Sequence, residues 1–132
     1  MQPNLKVISN KSLGTVLIVD DDEDVLELLS DIVKKQGYKV ITAVDGKAAM
    51  EQFLTQSPIL VIADIVMPGM DGIALAQAMK ESQKEVPIIL ISGKYFDLIE
   101  HQITKKILAD HVLYKPIAPA DIVESIGLLL ES

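Results

Sequence analysis

The feature that most constrains the fold is a regular alternation of short β-branched apolar runs with amphipathic segments. Thr15 to Val19 is a continuous apolar run that predicts a buried strand. The segment after it repeats apolar residues at the spacing of one helix face, and Gly37 supplies a stop signal. The residues predicted to form this face are Val25, Leu28, Leu29, Ile32 and Val33.

The same pairing of strand and helix recurs along the rest of the chain. Further strands are predicted at Lys39 to Ala43, Ile59 to Ala63, Ile88 to Ile91 and Val112 to Tyr114. Further helices are predicted at Lys47 to Gln56, at Ile73 to Glu81, within Phe96 to Leu108, and from Pro119 onward with an apolar face of Ile122, Val123, Ile126, Leu129 and Leu130. Apolar strands separated by helices favour a parallel sheet covered on both faces. We therefore predict an α/β, flavodoxin-like (βα)5 fold with strand order 2-1-3-4-5.

The size and composition of the chain predict one domain. A chain of 132 residues with 49% hydrophobic content can build one core and hardly two. Residues 1–13 are polar and unpatterned, so we expect a tail there and a single domain over residues 14–132. The absence of cysteine and of any apolar run approaching about 18 residues favours a cytoplasmic protein without a membrane span.

The charge of the chain disfavours direct binding to nucleic acid. Asp and Glu number 19 against 12 Lys and Arg, for a formal net charge of −7. The basic residues are all lysines and are scattered or at most paired, so no basic patch opposes the acidic field.

A run of acids follows directly after the first strand and needs a compensating positive charge. Asp20 to Asp24 are all acidic. Like charges this close repel one another and raise one another's pKa. A bound cation would remove this repulsion.

Side chains suited to phosphoryl chemistry follow the predicted strands. In an open parallel sheet, ligands bind at the carboxyl ends of the strands. Three carboxylates, a hydroxyl and an ammonium are expected to meet at this edge, from Asp20, Asp21, Asp64, Ser92 and Lys115. Oxygen ligands of this kind suit Mg²⁺, with Mn²⁺ able to substitute. Asp64 could then act as a nucleophile toward phosphorus, while Lys115 and Ser92 meet phosphoryl oxygens.

Four motifs in this order resemble the receiver domains of two-component response regulators, of the kind typified by chemotaxis regulators. They are "VLIVDDDEDV", "VIADIVMPGMDG", "PIILISG" and "LYKP". The resemblance implies that Asp64 is the phosphoacceptor and that Asp20 and Asp21 hold Mg²⁺ with Asp64 and the backbone carbonyl of Val66. It also implies that Ser92 is a switch hydroxyl and that Lys115 contacts the phosphoryl group beside a cis bond to Pro116.

The resemblance also implies partners. The phosphodonor would be a sensor histidine kinase or a histidine phosphotransfer protein, and an output partner would bind the face built from the fourth helix, the fifth strand and the fifth helix. Such a domain is not an enzyme with a separate substrate, although it promotes its own phosphorylation and dephosphorylation.

Simpler roles are open for some of these residues. Asp22, Glu23 and Asp24 suit the N-terminus of a helix. Taken alone, Asp64 could cap the "MPGMDG" turn, in which Gly72 is an ordinary turn former, and Ser92 could be a cap. His101 and His111 are expected at the surface or at helix ends, and Met67 and Met70 in packing or loops.

Other functions fit the sequence less well. A calcium loop starting at Asp20 would need glycine where Val25 stands. A phosphatase of the haloacid dehalogenase type would carry a second aspartate where Val66 stands. A receiver-like interaction module that works without phosphorylation is a further alternative, against which the full set of site residues argues.

Two departures from the resembling family bear on the output. The switch aromatic usually lies three residues before the lysine, where this chain has Val112, and Tyr114 instead adjoins Lys115. Gly93 stands where alanine is more usual. Val66 and Lys94 occupy positions that, by the resemblance, tune the access of water to the phosphoryl group.

Overall fold

A five-stranded parallel sheet forms the centre of the computed structural model, which describes residues 13–67, 70–93 and 109–131. The strands are β1 (Thr15–Val19), β2 (Lys39–Ala43), β3 (Leu60–Asp64), β4 (Ile88–Ser92) and β5 (His111–Tyr114). They lie side by side in the order β2-β1-β3-β4-β5. The predicted strand order is therefore confirmed.

Helices connect these strands and cover both faces of the sheet. They are α1 (Glu23–Lys35), α2 (Gly46–Gln56), α3 (Gly72–Ser82) and α4 (Pro119–Leu130). A short antiparallel hairpin pairs Val66–Met67 with Met70–Asp71 between β3 and α3. The predicted elements in the described part of the chain are present, with ends displaced by single residues. The helix predicted within Phe96 to Leu108 lies outside the described residues, and the division into a tail and a domain stays a prediction.

The hydrophobic core consists of two layers, one on each face of the sheet. One layer packs α2 and α3 against the sheet through Ala49, Phe53, Leu75, Ala76 and Met79. The other packs α1 and α4 against it through Leu26, Leu29, Val33, Ile122 and Ile126. Because both faces are covered, the central strands are apolar at consecutive positions rather than at alternate ones. Among the described residues, no helix has the length and hydropathy to cross a membrane.

Two residues predicted to face the core are in fact exposed. Leu28 is 47% exposed and Val123 is 37% exposed. In each helix a serine, Ser30 in α1 and Ser125 in α4, occupies a buried position that a search for apolar spacing passes over. In α1 the buried Leu26 was also missed, so the predicted face was rotated away from the observed one.

Aspartates directly precede three of the described helices and cap their N-termini. Asp22 accepts hydrogen bonds from the backbone N–H groups of Asp24 at 2.9 Å and Val25 at 3.4 Å, which confirms it as the cap of α1. Asp45 and Asp71 cap α2 and α3 in the same way. Such caps satisfy N–H groups that have no partner within the helix.

Candidate functional site

The carboxyl ends of β1, β3 and β5 bring the predicted site residues to one cleft. Because the strands are parallel, the residues that follow them meet at the same edge of the sheet. The cleft is lined by Asp20, Asp21, Asp22, Asp64, Val66, Gly93 and Lys115. Of the five side chains expected to converge, the structure places four in this cleft.

Three carboxylates form a cluster at the floor of the cleft. Asp20, Asp21 and Asp64 each offer an oxygen within 4.8 Å of the others. Asp20 and Asp64 are 1% and 5% exposed, whereas Asp21 is exposed. Two buried acids in one place require compensation by donors or by a cation.

Asp20 is only partly compensated by the protein. Its Oδ1 accepts a hydrogen bond from the Asp22 backbone N–H at 2.9 Å. Its Oδ2 is buried and has no hydrogen-bond partner in the described part of the structure. A buried carboxylate oxygen without a donor is costly, and it is a suitable ligand for a hard cation such as Mg²⁺. The residues present therefore fit a divalent metal ion.

Asp64 is compensated on both of its oxygens. Oδ1 accepts a hydrogen bond from the Val66 backbone N–H at 3.2 Å, and Oδ2 accepts one from Lys115 Nζ at 2.8 Å. The bond between Lys115 and Pro116 is cis, as the resemblance implied. The ammonium group thus lies beside the carboxylate that would carry a phosphoryl group.

The electrostatics of the cleft favour a bound proton or cation at Asp20. Burial raises the pKa of Asp20 to about 6, and the charges of Asp64 and Asp21 act in the same direction. Burial alone would lower the pKa of Lys115, but its hydrogen bond to Asp64 and the charge of that carboxylate outweigh burial and raise it. Lys115 is therefore charged at neutral pH, and burial makes the charged form of Asp20 costly in the absence of a cation.

We predict that metal-free protein loses stability as pH rises through the range from about 4 to about 6. Between the usual pKa of 3.8 and the raised value of about 6, folded Asp20 keeps a proton that the unfolded chain has released. The folded state then binds more protons, so the free energy of unfolding falls with rising pH.

The measurement is the melting temperature against pH in chelator, for the parent and for Asp20→Asn. Because asparagine does not titrate, the parent should lose stability relative to the variant across this range and then level off. A constant difference between the two proteins from pH 4 to pH 7 would contradict the assignment.

Ser92 lies at the same sheet edge but is not bonded to the carboxylates. It ends β4, is 1% exposed, and its Oγ donates a hydrogen bond to the Gly93 backbone carbonyl at 2.8 Å. In the paired register Asp64 lies beside Ile91, so Ser92 is one residue further along. The hydroxyl would have to turn to reach a group on Asp64.

Gly72 has a positioning role that the sequence analysis did not identify. It is the first residue of α3, and its backbone N–H donates to the Ile65 carbonyl at 2.8 Å. A Cβ at this position would lie 2.7 Å from the Ile65 Cα and still closer to the Asp64 carbonyl oxygen. Only glycine lets the start of α3 approach the backbone of Asp64 so closely. We had interpreted Gly72 as an ordinary turn former.

Gly72→Ala is therefore expected to destabilise the protein and to displace Asp64. The added methyl group meets backbone atoms, which cannot rotate away, so we expect a loss of about 1–3 kcal/mol in the free energy of unfolding. Gly127→Ala is the matched control, because a Cβ there meets only Glu131 Oε1 at 3.9 Å within α4. The control should gain about 0.5–1 kcal/mol. Urea unfolding of both variants checks this, and equal effects would refute the close-approach argument.

The structure locates some of the histidines and methionines for which we expected simple structural roles. His111 lies within β5, and its Nδ1 is 2.9 Å from Ser125 Oγ on α4, so it is a strand residue rather than a surface or helix-end one. Met67 is 4% exposed and packs in the core, as predicted. His101, Lys94 and the side chain of Met70 lie outside the described residues.

Comparison with known proteins identifies relatives of the whole domain. The family model described as the response regulator receiver domain matches residues 16–127. The chain is 31% identical over 109 residues to the alkaline phosphatase synthesis transcriptional regulatory protein PhoP of Bacillus subtilis, covering 81% of this chain and 44% of that protein. It is 33% identical over 116 residues to the transcriptional regulatory protein PrrA of Mycobacterium tuberculosis, covering 87% and 49%. The chain thus spans about half the length of these regulators.

Solved structures of receiver domains also resemble this chain. A crystal structure of a CheY-like response regulator receiver domain protein from Methanospirillum hungatei superposes with a TM-score of 0.84 at 28% identity, covering 91% of this chain and 95% of that one. The sheet order and the matched family model agree with the motifs at the strand ends. The chain therefore belongs to the response regulator receiver domain family of two-component signal transduction.

Proposed function

We propose that Asp64 accepts a phosphoryl group from a phosphohistidine on a sensor histidine kinase or a histidine phosphotransfer protein. The observation that carries this proposal is that Asp20 Oδ2 is buried and without a hydrogen-bond partner among the described residues, close to an Asp64 carboxylate that Lys115 holds. Mg²⁺ held by Asp20, Asp21, Asp64 and the Val66 backbone carbonyl would neutralise charge on the phosphoryl oxygens.

The reaction needs little from the protein beyond alignment and charge. A carboxylate oxygen of Asp64 forms a bond to phosphorus, the bond between phosphorus and the donor imidazole nitrogen breaks, and the imidazole leaves in its neutral form after taking a proton. Lys115 Nζ, now 2.8 Å from Asp64 Oδ2, can follow the negative charge onto a phosphoryl oxygen. Attack of water on the same phosphorus later regenerates the carboxylate, so the domain promotes both its own phosphorylation and its own dephosphorylation.

The phosphoryl group would change what the domain binds. We propose that Ser92 and Lys115 move toward it and shift the face that includes β5 and α4 into a form that an output partner recognises. The net charge of −7 disfavours direct contact of this domain with nucleic acid.

Incubation with Mg²⁺ and acetyl phosphate tests the proposal, with the intact mass taken quickly at neutral pH. A gain of one phosphoryl group that requires Mg²⁺ would support it. If neither acetyl phosphate nor beryllofluoride with Mg²⁺ produced a bound species, the phosphate-independent interaction module would be the better interpretation.

A further inference from the structure

Tyr114 lies directly beside Ser92 in the sheet. The two residues are paired partners at the ends of β5 and β4. Paired residues of adjacent parallel strands project to the same face, and Ile88 and Leu90, which alternate with Ser92 along β4, belong to the core layer under α2 and α3. Ser92 and Tyr114 are therefore neighbours on that face.

The Tyr114 hydroxyl is an unexplained buried polar group. It is inaccessible to solvent and has no hydrogen-bond partner within the described part of the chain. Buried hydroxyls are normally paired, and an unpaired one costs free energy. A rearrangement that gives this hydroxyl a hydrogen-bond partner therefore lowers the free energy of the protein. The present position of Tyr114 is thus open to change.

The Ser92 hydroxyl is the group whose movement would bring about that change. It donates to the Gly93 carbonyl at 2.8 Å, and this hydrogen bond must break if Ser92 is to reach a phosphoryl group on Asp64. Because Tyr114 is paired with Ser92 on the same face, a turn of the Ser92 side chain toward Asp64 would change the space beside Tyr114. Val112, two residues earlier on the same face of β5, packs into the core and has no polar group with which to respond.

We infer that Tyr114 is the residue that senses the position of Ser92 and transmits the phosphorylation of Asp64 to the surface at β5. The inference rests on the proposed function. It assigns to Tyr114, one residue before Lys115, the response to Ser92 movement that the apolar Val112 cannot provide. Tyr114 precedes Lys115 of the site along the chain, and it ends β5, which is the edge strand of the sheet.

Fluorine NMR of protein labelled with 3-fluorotyrosine tests this directly. The chain has 3 tyrosines, so single Tyr→Phe variants assign every resonance. Tyr38 is the internal control, since it directly precedes β2, at the opposite end of the sheet from the site, and its hydroxyl donates to Glu131 Oε2 at 2.9 Å. Bound beryllofluoride gives its own fluorine signals, so the same spectrum shows whether the phosphoryl site is filled.

With beryllofluoride and Mg²⁺ bound, we expect the Tyr114 resonance to move by more than its linewidth while the Tyr38 resonance stays in place. In Ser92→Ala, compared only where bound beryllofluoride is seen, the Tyr114 movement should be lost or strongly reduced. A filled site with an unmoved Tyr114, or a full movement in Ser92→Ala, would overturn the inference and leave the proposed function intact. No bound beryllofluoride together with no phosphoryl gain by mass would overturn both.

Discussion

Asp64→Asn is expected to abolish phosphoryl uptake while the fold survives. The amide that replaces the carboxylate is a poor nucleophile toward phosphorus, so incubation with Mg²⁺ and acetyl phosphate should leave the intact mass unchanged. The lost ion pair with Lys115 should cost little, because Lys115 is 40% exposed and pairs of this kind contribute about 0–1 kcal/mol. The substitution also removes a like charge from beside Asp20.

Asp45→Asn is the matched control for this prediction. Asp45 caps α2 through the Ala48 backbone N–H at 2.8 Å and has no part in the cleft, and asparagine caps helices about as well as aspartate. Phosphoryl uptake should therefore persist in Asp45→Asn. Uptake in Asp64→Asn equal to that of the parent would show that another group is the acceptor.

Mg²⁺ is expected to stabilise the folded protein measurably. A ligand that binds only the folded state at tenfold its dissociation constant adds about 1.4 kcal/mol to the free energy of unfolding. For a domain of this size that is an increase of about 5 °C in melting temperature. The physical origin is the cluster of Asp20, Asp21 and Asp64, whose mutual repulsion the cation removes.

Thermal unfolding in Mg²⁺ and in chelator, for the parent and for Asp20→Asn, measures this effect. The variant loses the buried Oδ2 ligand, so its melting temperature should respond much less to Mg²⁺. A melting temperature of the parent that is indifferent to both Mg²⁺ and chelator would contradict the metal assignment. A response of equal size in Asp20→Asn would remove Asp20 from the ligand set.

The convergence of site residues was predictable because it depends on topology rather than on packing detail. Asp20 and Lys115 directly follow β1 and β5, and Asp64 ends β3; in a parallel sheet these positions share one edge. Local sequence identified the strands, because continuous apolar runs between helices have few other interpretations. The cluster and the ion pair between Lys115 and Asp64 follow from that arrangement.

Features that depend on distant backbone contacts or on register were not predictable. The need for glycine at Gly72 comes from its approach to the Asp64 backbone, which no spacing pattern encodes. The pairing of Tyr114 with Ser92 is a matter of register between β5 and β4, which no local sequence pattern encodes. Leu28 was misassigned because two helical faces of α1 fit the apolar spacing, and the buried one includes Leu26 and Ser30.

Locating the phosphoryl group on the chain tests the central claim most directly. An acyl phosphate is reduced by borohydride to the alcohol, so a phosphorylated aspartate becomes homoserine, which peptide mass spectrometry can locate. After phosphorylation with Mg²⁺ and acetyl phosphate, the account predicts homoserine at Asp64 and at no other acid of the cleft. Homoserine at Asp20 or Asp21, or a phosphoryl group that resists borohydride because it sits on a hydroxyl, would contradict it.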